Sequence, residues 1–231
     1  VHLVGRSFKY HRPRGIMTSG SEEPNAIVQV NPGTNRTEPN VRATEVEIYE
    51  GLEASSQNCW PSVEFDIGGI NNFLSPFFPA GFYYKTFMWP ASFWEKYEFF
   101  IRHSAGLGKS PTSSDPDIYD HRNIHCDVLV VGAGISGILA AKNAAKNNFK
   151  TLLVDEKNEL GGSTIYENNE FNKIDNKAPS EWLKKEIEEL KGIKNLEIKT
   201  RTSVAAYHQY NYLLARENLT DHLEAKDKTN K

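Results

Sequence analysis

Residues 127–137 read Asp-Val-Leu-Val-Val-Gly-Ala-Gly-Ile-Ser-Gly, a short apolar run that leads directly into the pattern G-x-G-x-x-G. The apolar run predicts a strand buried in a parallel sheet, because strands covered on both faces are apolar throughout. Residues 135–147 then have helical composition, and residues 150–155, Lys-Thr-Leu-Leu-Val-Asp, predict a second strand. The stretch therefore predicts a βαβ unit with a right-handed crossover.

The glycines of this unit stand where a dinucleotide-binding turn requires them. Gly132 allows the tight turn, Gly134 lets the backbone approach a pyrophosphate, and Gly137 lets the helix pack closely on the strand. Ile135 and Ser136 open the helix, where unpaired N–H groups and the helix dipole attract a phosphate. The alternative is a glycine loop that only turns a strand into a helix.

Asp155 ends the second predicted strand, 18 residues after Gly137. A carboxylate at this position accepts hydrogen bonds from the ribose diol of an adenosine. It would also repel a 2′-phosphate, so the sequence favours NAD or FAD over NADP as the ligand.

The α/β rhythm continues downstream of Asp155. A helix is predicted from Pro179 through residues 181–191, where apolar residues recur on one side and the charged remainder predicts a solvated face. A third strand is predicted over residues 196–199, and one or two antiparallel strands over residues 203–216. The fold class of this half is therefore α/β.

Upstream of the motif, the chain contains a segment with predicted strands and then a segment rich in aromatic residues. Strands are predicted over residues 25–30 and 41–49, separated by the turn residues Asn31-Pro32-Gly33. Between residues 73 and 100 lie 13 of the chain's 26 aromatic residues, with a short helix predicted near residues 92–103. These rings form either a local core or an interface with a partner subunit, and the sequence leaves both open.

Composition excludes several classes of function. With 27 basic and 30 acidic residues the net charge is −3, so the uniform basic field of a nucleic-acid-binding protein is absent. No run of about 18 apolar residues predicts a membrane span. Two cysteines make no disulfide framework, seven histidines show no zinc spacing, and no catalytic constellation stands out. We expect a cytoplasmic chain with no nucleic-acid, membrane or metal partner.

Residues 160–163, Leu-Gly-Gly-Ser, resemble a loop of the two-dinucleotide-binding flavoprotein superfamily. By that resemblance Glu156, Lys157, Gly162 and Ser163 are further cofactor neighbours. The Ala-Thr-Gly segment that returns under the pyrophosphate in this superfamily is missing. The paired redox cysteines of disulfide reductases are also missing, which excludes that chemistry.

Two other segments resemble the alpha subunits of heterotetrameric sarcosine oxidases. Residues 5–16 read Gly-Arg-Ser-Phe-Lys-Tyr-His-Arg-Pro-Arg-Gly-Ile, and residues 74–90 read Leu-Ser-Pro-Phe-Phe-Pro-Ala-Gly-Phe-Tyr-Tyr-Lys-Thr-Phe-Met-Trp-Pro. The resemblance implies a ferredoxin-like β-grasp domain followed by a Rossmann domain that binds NAD. It also implies beta, gamma and delta subunits as partners, with FAD on the beta subunit and a covalent FMN between alpha and beta.

The sequence departs from cluster-carrying relatives in one respect. Plant-type two-iron clusters use C-x4-C-x2-C and a distant fourth cysteine, whereas no cysteine precedes Cys59 here. We therefore expect a cluster-less ferredoxin-like β-grasp domain at residues 1–60 and an aromatic-rich connection at 61–125. A partial Rossmann domain follows at 126–223, with a disordered tail at 224–231. These bounds describe an N-terminal fragment of an alpha subunit.

The leading functional hypothesis follows from the resemblance. The chain would carry NAD in a complex that oxidatively demethylates sarcosine to glycine, formaldehyde or methylene-tetrahydrofolate, and hydrogen peroxide. No residue of the chain is predicted to be catalytic. The alternatives are an alpha-type subunit of a related amine or opine dehydrogenase, and a non-catalytic assembly module with a vestigial nucleotide loop.

Overall fold

The computed structural model divides the chain into two compact units, one of residues 1–119 with 222–231 and one of residues 120–221. The structure describes residues 27–34, 37–57, 59–62, 64–74, 77, 87, 89–104, 114, 117–167 and 172–223. The predictions for the opening segment, for most of the aromatic segment and for the tail lie outside the described residues.

The first unit contains a three-stranded antiparallel sheet. Its strands are β1 (Ile27–Val30), β2 (Glu38–Arg42) and β3 (Ala54–Ser56), in the order β2-β1-β3. The predicted turn follows β1, with Gly33 at φ +79°. Asn31 closes this turn, because its carbonyl accepts hydrogen bonds from the Thr34 N–H at 3.3 Å and from the Thr34 hydroxyl at 2.9 Å.

The predicted strand over residues 41–49 is wrong in its position. The strand ends at Arg42, because the Glu45 N–H donates to the Arg42 carbonyl at 3.0 Å and closes a turn there. An ion pair of 3.0 Å between the two side chains supports the same turn. Ile48 is 88% exposed, so the alternation that predicted a half-buried strand does not face a core.

The aromatic segment contains short helices in its described parts. A 3₁₀ turn at Ile67–Ile70 leads into α1 (Asn71–Leu74), and another at Ala91–Phe93 leads into α2 (Trp94–Ser104), which confirms the helix predicted near residues 92–103. The ring of Tyr97 lies 5.3 Å from that of Phe87 and 6.2 Å from that of Phe93. Other described rings of the segment, including Trp89 and Phe100, are exposed.

The second unit is built on a parallel sheet. Its elements in chain order are β4 (Val128–Val131), α3 (Ile135–Lys146), β5 (Thr151–Val154), α4 (Pro179–Lys191) and β6 (Leu196–Lys199). The strand order is β4-β5-β6, with Val131 beside Val154 and Val154 beside Lys199. The predicted strands and helices of this region are confirmed.

An antiparallel hairpin follows the parallel sheet. It consists of β7 (Thr202–His208) and β8 (Tyr212–Glu217), joined by a tight turn in which Tyr210 and Asn211 have φ +62° and +56°. The two strands confirm the antiparallel pair predicted over residues 203–216.

The core of the second unit lies between the parallel sheet and its two helices. Every residue of β5 is buried, as expected for the central strand of a parallel sheet. The buried cluster consists of Ala133, Ile138, Ala141, Leu153, Leu160, Trp182, Leu183 and Leu190. The indole N–H of Trp182 donates to Asp175 at 3.2 Å, so its polar atom is also satisfied.

Among the described residues, no helix combines the length and apolar composition needed to cross a bilayer.

A charged bridge joins the two helices. The Lys142 ammonium on α3 lies 2.5 Å from a Glu186 carboxylate oxygen and 2.7 Å from one of Glu189, both on α4. Only 6% of the Glu186 side chain and 15% of the Lys142 side chain are exposed. The prediction that all charges of α4 lie on a solvated face is therefore wrong for Glu186.

The bridge shifts the pKa values of Lys142 and Glu189 in opposite directions. Hydrogen bonds to Glu186 and Glu189 raise the pKa of Lys142, because they favour its charged form. The hydrogen bond from Lys142 lowers the pKa of Glu189 for the same reason.

We expect Lys142→Met to lower the free energy of unfolding by about 3 kcal/mol near neutral pH, because it leaves the buried Glu186 without its cation. The raised pKa of Lys142 means that its contribution is full below about pH 10.4 and is lost as the pH rises through the folded pKa. The lowered pKa of Glu189 means that its contribution is present above about pH 4.3 and is lost as the pH falls.

Chemical denaturation across a pH series measures this effect. The difference in free energy of unfolding between wild type and Lys142→Met should be largest between about pH 4.3 and about pH 10.4. It should become smaller below and above this pH range. The control is Lys146→Met, whose side chain is 59% exposed and 3.9 Å from Glu189, so we expect a change below about 0.5 kcal/mol. If the difference in free energy of unfolding between wild type and Lys142→Met stays constant across the pH series, the stabilising role given to the ion pairs of Lys142 is wrong.

Candidate functional site

The sequence-predicted site residues meet at the carboxyl edge of the parallel sheet. The glycine loop follows β4, Asp155 follows β5, and the loop containing Gly162 continues from there. The N–H of Ala133 in the glycine loop donates to a carboxylate oxygen of Asp155 at 2.6 Å. In open parallel sheets this edge is where ligands bind.

Two glycines of the loop are required by the chain's own structure. Gly132 has φ +94°, a conformation that side chains rarely adopt, and its N–H donates to the carbonyl of Val154 at 2.8 Å. A Cβ on Gly137 would overlap the carbonyl oxygen of Gly132. Strand and helix thus approach each other backbone to backbone, which is the geometry predicted for these two positions.

Gly134 is different, because neither its conformation nor its neighbours require a glycine. It has φ −70°, and a Cβ built on it would meet no atom within 4 Å among the described residues. It is the N-cap of α3, and no side chain caps the helix there. The first N–H groups of an α-helix have no partner within the helix, and the helix dipole favours an anion beside them. Ile135 and Ser136 belong to this first turn.

A second glycine pair brings another loop against the first. Gly161 has φ +128° and Gly162 φ +56°. The Gly161 N–H donates to the Ala133 carbonyl at 2.7 Å, and a Cβ on Gly162 would lie 3.1 Å from the Cα of Gly134. The loop at residues 160–163 therefore lies directly against the glycine loop, with Ser163 exposed beside it.

The side chain of Asp155 is fixed by hydrogen bonds within the chain itself. Its side chain accepts hydrogen bonds from the N–H groups of Ala133 at 2.6 Å and Lys157 at 2.8 Å, one on each oxygen. The residue is 9% exposed. An ionised carboxylate has about four acceptor positions, so both oxygens retain capacity for a further donor. Sequence reasoning missed the contact with the glycine loop, since nothing local marks it.

The rim of the site is formed by exposed residues that follow Asp155. Glu156 and Lys157 are exposed, and the Lys157 ammonium lies 5.6 Å from the centre of the Tyr166 ring. The Lys157 carbonyl accepts a hydrogen bond from the N–H of Arg201 at 2.8 Å. Tyr166 and Arg201 join the site through these contacts, and no sequence motif pointed to either of them.

Thiol and metal chemistry have no support within the described residues. No group of three or more His, Cys, Asp or Glu side chains is arranged there to hold a metal ion. Burial raises the pKa of the Cys126 thiol, which disfavours the nucleophilic thiolate. Cys126 lines a cavity of about 150 Å³ with Lys150 and Lys194 at the amino edge of the sheet, away from the glycine loop.

Comparison with known proteins shows what this chain is similar to. A family model described as FAD dependent oxidoreductase matches residues 127–210, and one described as 2Fe-2S iron-sulfur cluster binding domain matches residues 1–59. Sarcosine oxidase subunit alpha of Rhizobium meliloti (strain 1021) is 50% identical over 222 residues, or 96% of this chain. The chain is a homologue of sarcosine oxidase alpha subunits. The resemblance predicted from the sequence is confirmed.

A second relative and one solved structure extend the comparison. Sarcosine oxidase subunit alpha of Corynebacterium sp. (strain U-96) is 31% identical over 97% of this chain. The chain spans about a fifth of the length of these two relatives, 22% and 18%. The crystal structure of L-proline dehydrogenase from P. horikoshii aligns with 92% of this chain and 30% of its own, with a TM-score of 0.46 and 15% identity.

The matched iron–sulfur region does not carry the ligands of a cluster. A two-iron cluster needs four protein ligands, usually cysteines, and the only cysteine in residues 1–59 is Cys59. Its thiol already donates a hydrogen bond to the Ser56 hydroxyl at 3.0 Å. The donor set of this region therefore does not fit such a cluster, and a cluster-less β-grasp domain stays a prediction.

We expect alanine to destabilise the protein at Gly137 but not at Gly134. Gly137→Ala forces the helix away from the Gly132 carbonyl and should lower the free energy of unfolding by about 3 kcal/mol. Gly134→Ala meets no obstacle and should change it by less than about 0.5 kcal/mol. Thermal denaturation of both variants measures the difference, and equal destabilisation by the two would show that the loop geometry is wrong.

Proposed function

We propose that this chain is the nucleotide-binding part of a sarcosine oxidase alpha subunit and that it holds NAD at the carboxyl edge of the β4-β5-β6 sheet. The observation that carries the proposal is Gly134. A glycine that neither backbone nor packing requires, placed at an uncapped helix start, leaves room for a ligand to approach the main chain. The family likeness to FAD dependent oxidoreductases supports a dinucleotide as that ligand.

Different residues of the site contact different parts of the dinucleotide. The first N–H groups of α3, at Ile135 and Ser136, receive the pyrophosphate, whose negative charge the helix dipole favours. Asp155 accepts the ribose hydroxyls with its remaining acceptor positions, and its charge disfavours a 2′-phosphate. Glu156, Lys157, Gly162 and Ser163 border the same space. When bound, NAD supplies a nicotinamide ring that exchanges hydride, and the part of this chain described here only binds and orients it.

The reaction proposed for the whole complex is the oxidative demethylation of sarcosine. The complex would convert sarcosine and water to glycine and formaldehyde and would reduce oxygen to hydrogen peroxide, with its flavins supplying the hydride acceptor. Tetrahydrofolate, where it is present, would take up the formaldehyde as methylene-tetrahydrofolate.

The flavins of this reaction belong to the rest of the complex. We propose FAD on the beta subunit, a covalent FMN between alpha and beta, gamma and delta subunits as further partners, and the cytoplasm as the location. Relatives that are named subunit alpha support a multi-subunit assembly. No described residue of this chain is assigned as the catalytic base.

We expect calorimetric titration of the full chain to show binding of NAD, with NADP at least tenfold weaker because of the Asp155 charge. Gly134→Ala should weaken NAD binding by about tenfold or more, equal to about 1.4 kcal/mol, because its methyl group occupies the ligand's approach. The variant keeps the fold, so thermal denaturation serves as its control. Binding of FAD alone, without NAD, would overturn the choice of cofactor.

The assembled complex tests the proposed substrate. We expect sarcosine to drive hydrogen peroxide production and opines to drive none, as measured by a peroxidase-coupled assay. Peroxide formation with opines but not sarcosine would favour the dehydrogenase alternative. A complex that assembles and turns over without any nucleotide binding by this chain would favour the assembly-module alternative.

A further inference from the structure

The geometry points to a second role for Asp155, as a positioning residue that holds the glycine loop in its phosphate-binding shape. This inference rests on the proposed function and deepens it. In the sequence pattern Asp155 only contacts the ribose. In the structure its carboxylate also reaches back across the sheet edge to the middle residue of the loop, Ala133.

The contact between Asp155 and Ala133 is buried and charge-assisted. The Ala133 N–H donates to a carboxylate oxygen at 2.6 Å, in the short range of hydrogen bonds to ionised acceptors. Ala133 is fully buried and Asp155 is 9% exposed. Water therefore has little access to the Ala133 N–H, and the group depends on the carboxylate for its partner.

This hydrogen bond fixes the first peptide group of the loop. In a trans peptide the C=O and the following N–H point in opposite directions. Because the Ala133 N–H points to Asp155, the Gly132 carbonyl points the other way, and it is this oxygen that a Cβ on Gly137 would overlap. The Asp155 contact is therefore linked to the close approach of loop and helix.

The peptide group between Ala133 and Gly134 is oriented by a different residue, Gly161. The Ala133 carbonyl accepts the Gly161 N–H at 2.7 Å, so the N–H of Gly134 points away from Gly161. The N–H of Gly134 directly precedes those of Ile135 and Ser136, which receive the pyrophosphate in the proposed function. Both peptide groups that flank Ala133 are thus oriented by residues that follow β5.

Asp155 is itself anchored on both sides of its main chain. Its N–H donates to the Lys199 carbonyl at 3.0 Å, and its carbonyl accepts the Thr202 N–H at 2.7 Å. Its other carboxylate oxygen holds the Lys157 N–H at 2.8 Å. The carboxylate is therefore a fixed point, while a loop with three glycines has great conformational freedom of its own.

A ligand without ribose hydroxyls separates the two roles. We propose calorimetric titration of the full chain with ADP and with 2′,3′-dideoxy-ADP, in wild type and Asp155→Asn. The asparagine has the same size, but it offers one acceptor and turns an NH₂ group towards the other N–H. We expect Asp155→Asn to weaken dideoxy-ADP binding by about tenfold and ADP binding by more. Unchanged dideoxy-ADP affinity would overturn the positioning role.

Hydrogen exchange of the Ala133 amide provides a readout that needs no ligand. In Asp155→Asn this amide should exchange at least about tenfold faster than in wild type, while amides within β5 keep their rates. The matched control is Glu159→Gln, which changes an exposed carboxylate four residues away and should leave both titrations and the exchange rate unchanged. An Ala133 exchange rate equal to that of wild type would also overturn the role.

Asp155→Glu covers the case in which Asp155→Asn fails to fold. It keeps the charge and both acceptors but displaces them by one methylene. We expect dideoxy-ADP affinity to fall several-fold while the ratio of ADP to dideoxy-ADP affinity stays near that of wild type. Failure of the proposed function looks different: wild type then binds neither nucleotide, and the exchange measurement still decides the role of Asp155 in the loop.

Discussion

The backbone contact between Gly132 and Gly137 is the constraint on which the candidate site depends. It lets the start of α3 lie directly against the end of β4, and so places the first N–H groups of the helix at the carboxyl edge of the sheet. Any side chain at Gly137 would push the helix away from this edge. The steric requirement at one position therefore determines where the helix dipole is directed.

Contacts from the central strand and its following loop complete this arrangement. β5 is buried along its length, and the residues after it supply the Asp155 carboxylate and the Gly161 N–H that hold Ala133. The Lys142–Glu186 bridge joins α3 to α4. The glycine loop is thus supported by parts of the chain that lie more than 20 residues away in sequence, so its shape is a property of the whole second unit.

The parts of the fold that could be predicted from the sequence are those that depend on local patterns of residues. The apolar run at 127–131, the glycine spacing and the amphipathic helix after Pro179 identified the parallel sheet, its crossover helices and the edge that carries the site. The missed features, such as the contacts of Asp155 and Glu186, depend on pairings between distant residues that leave no local pattern. The misplaced strand at 41–49 had the right alternation, but the turn that begins at Arg42 removes it from the sheet. The family came from two unusual segments, and those segments lie mostly outside the described residues.

The position of β4 in its sheet has a consequence for handling the protein. Among the residues that the structure describes, β4 pairs with β5 alone, and its sequence Val-Leu-Val-Val contains neither the charge nor the proline by which edge strands usually resist pairing with other molecules. An edge strand of this composition can accept the strand of another molecule, so we expect self-association through β4 wherever this edge is uncovered.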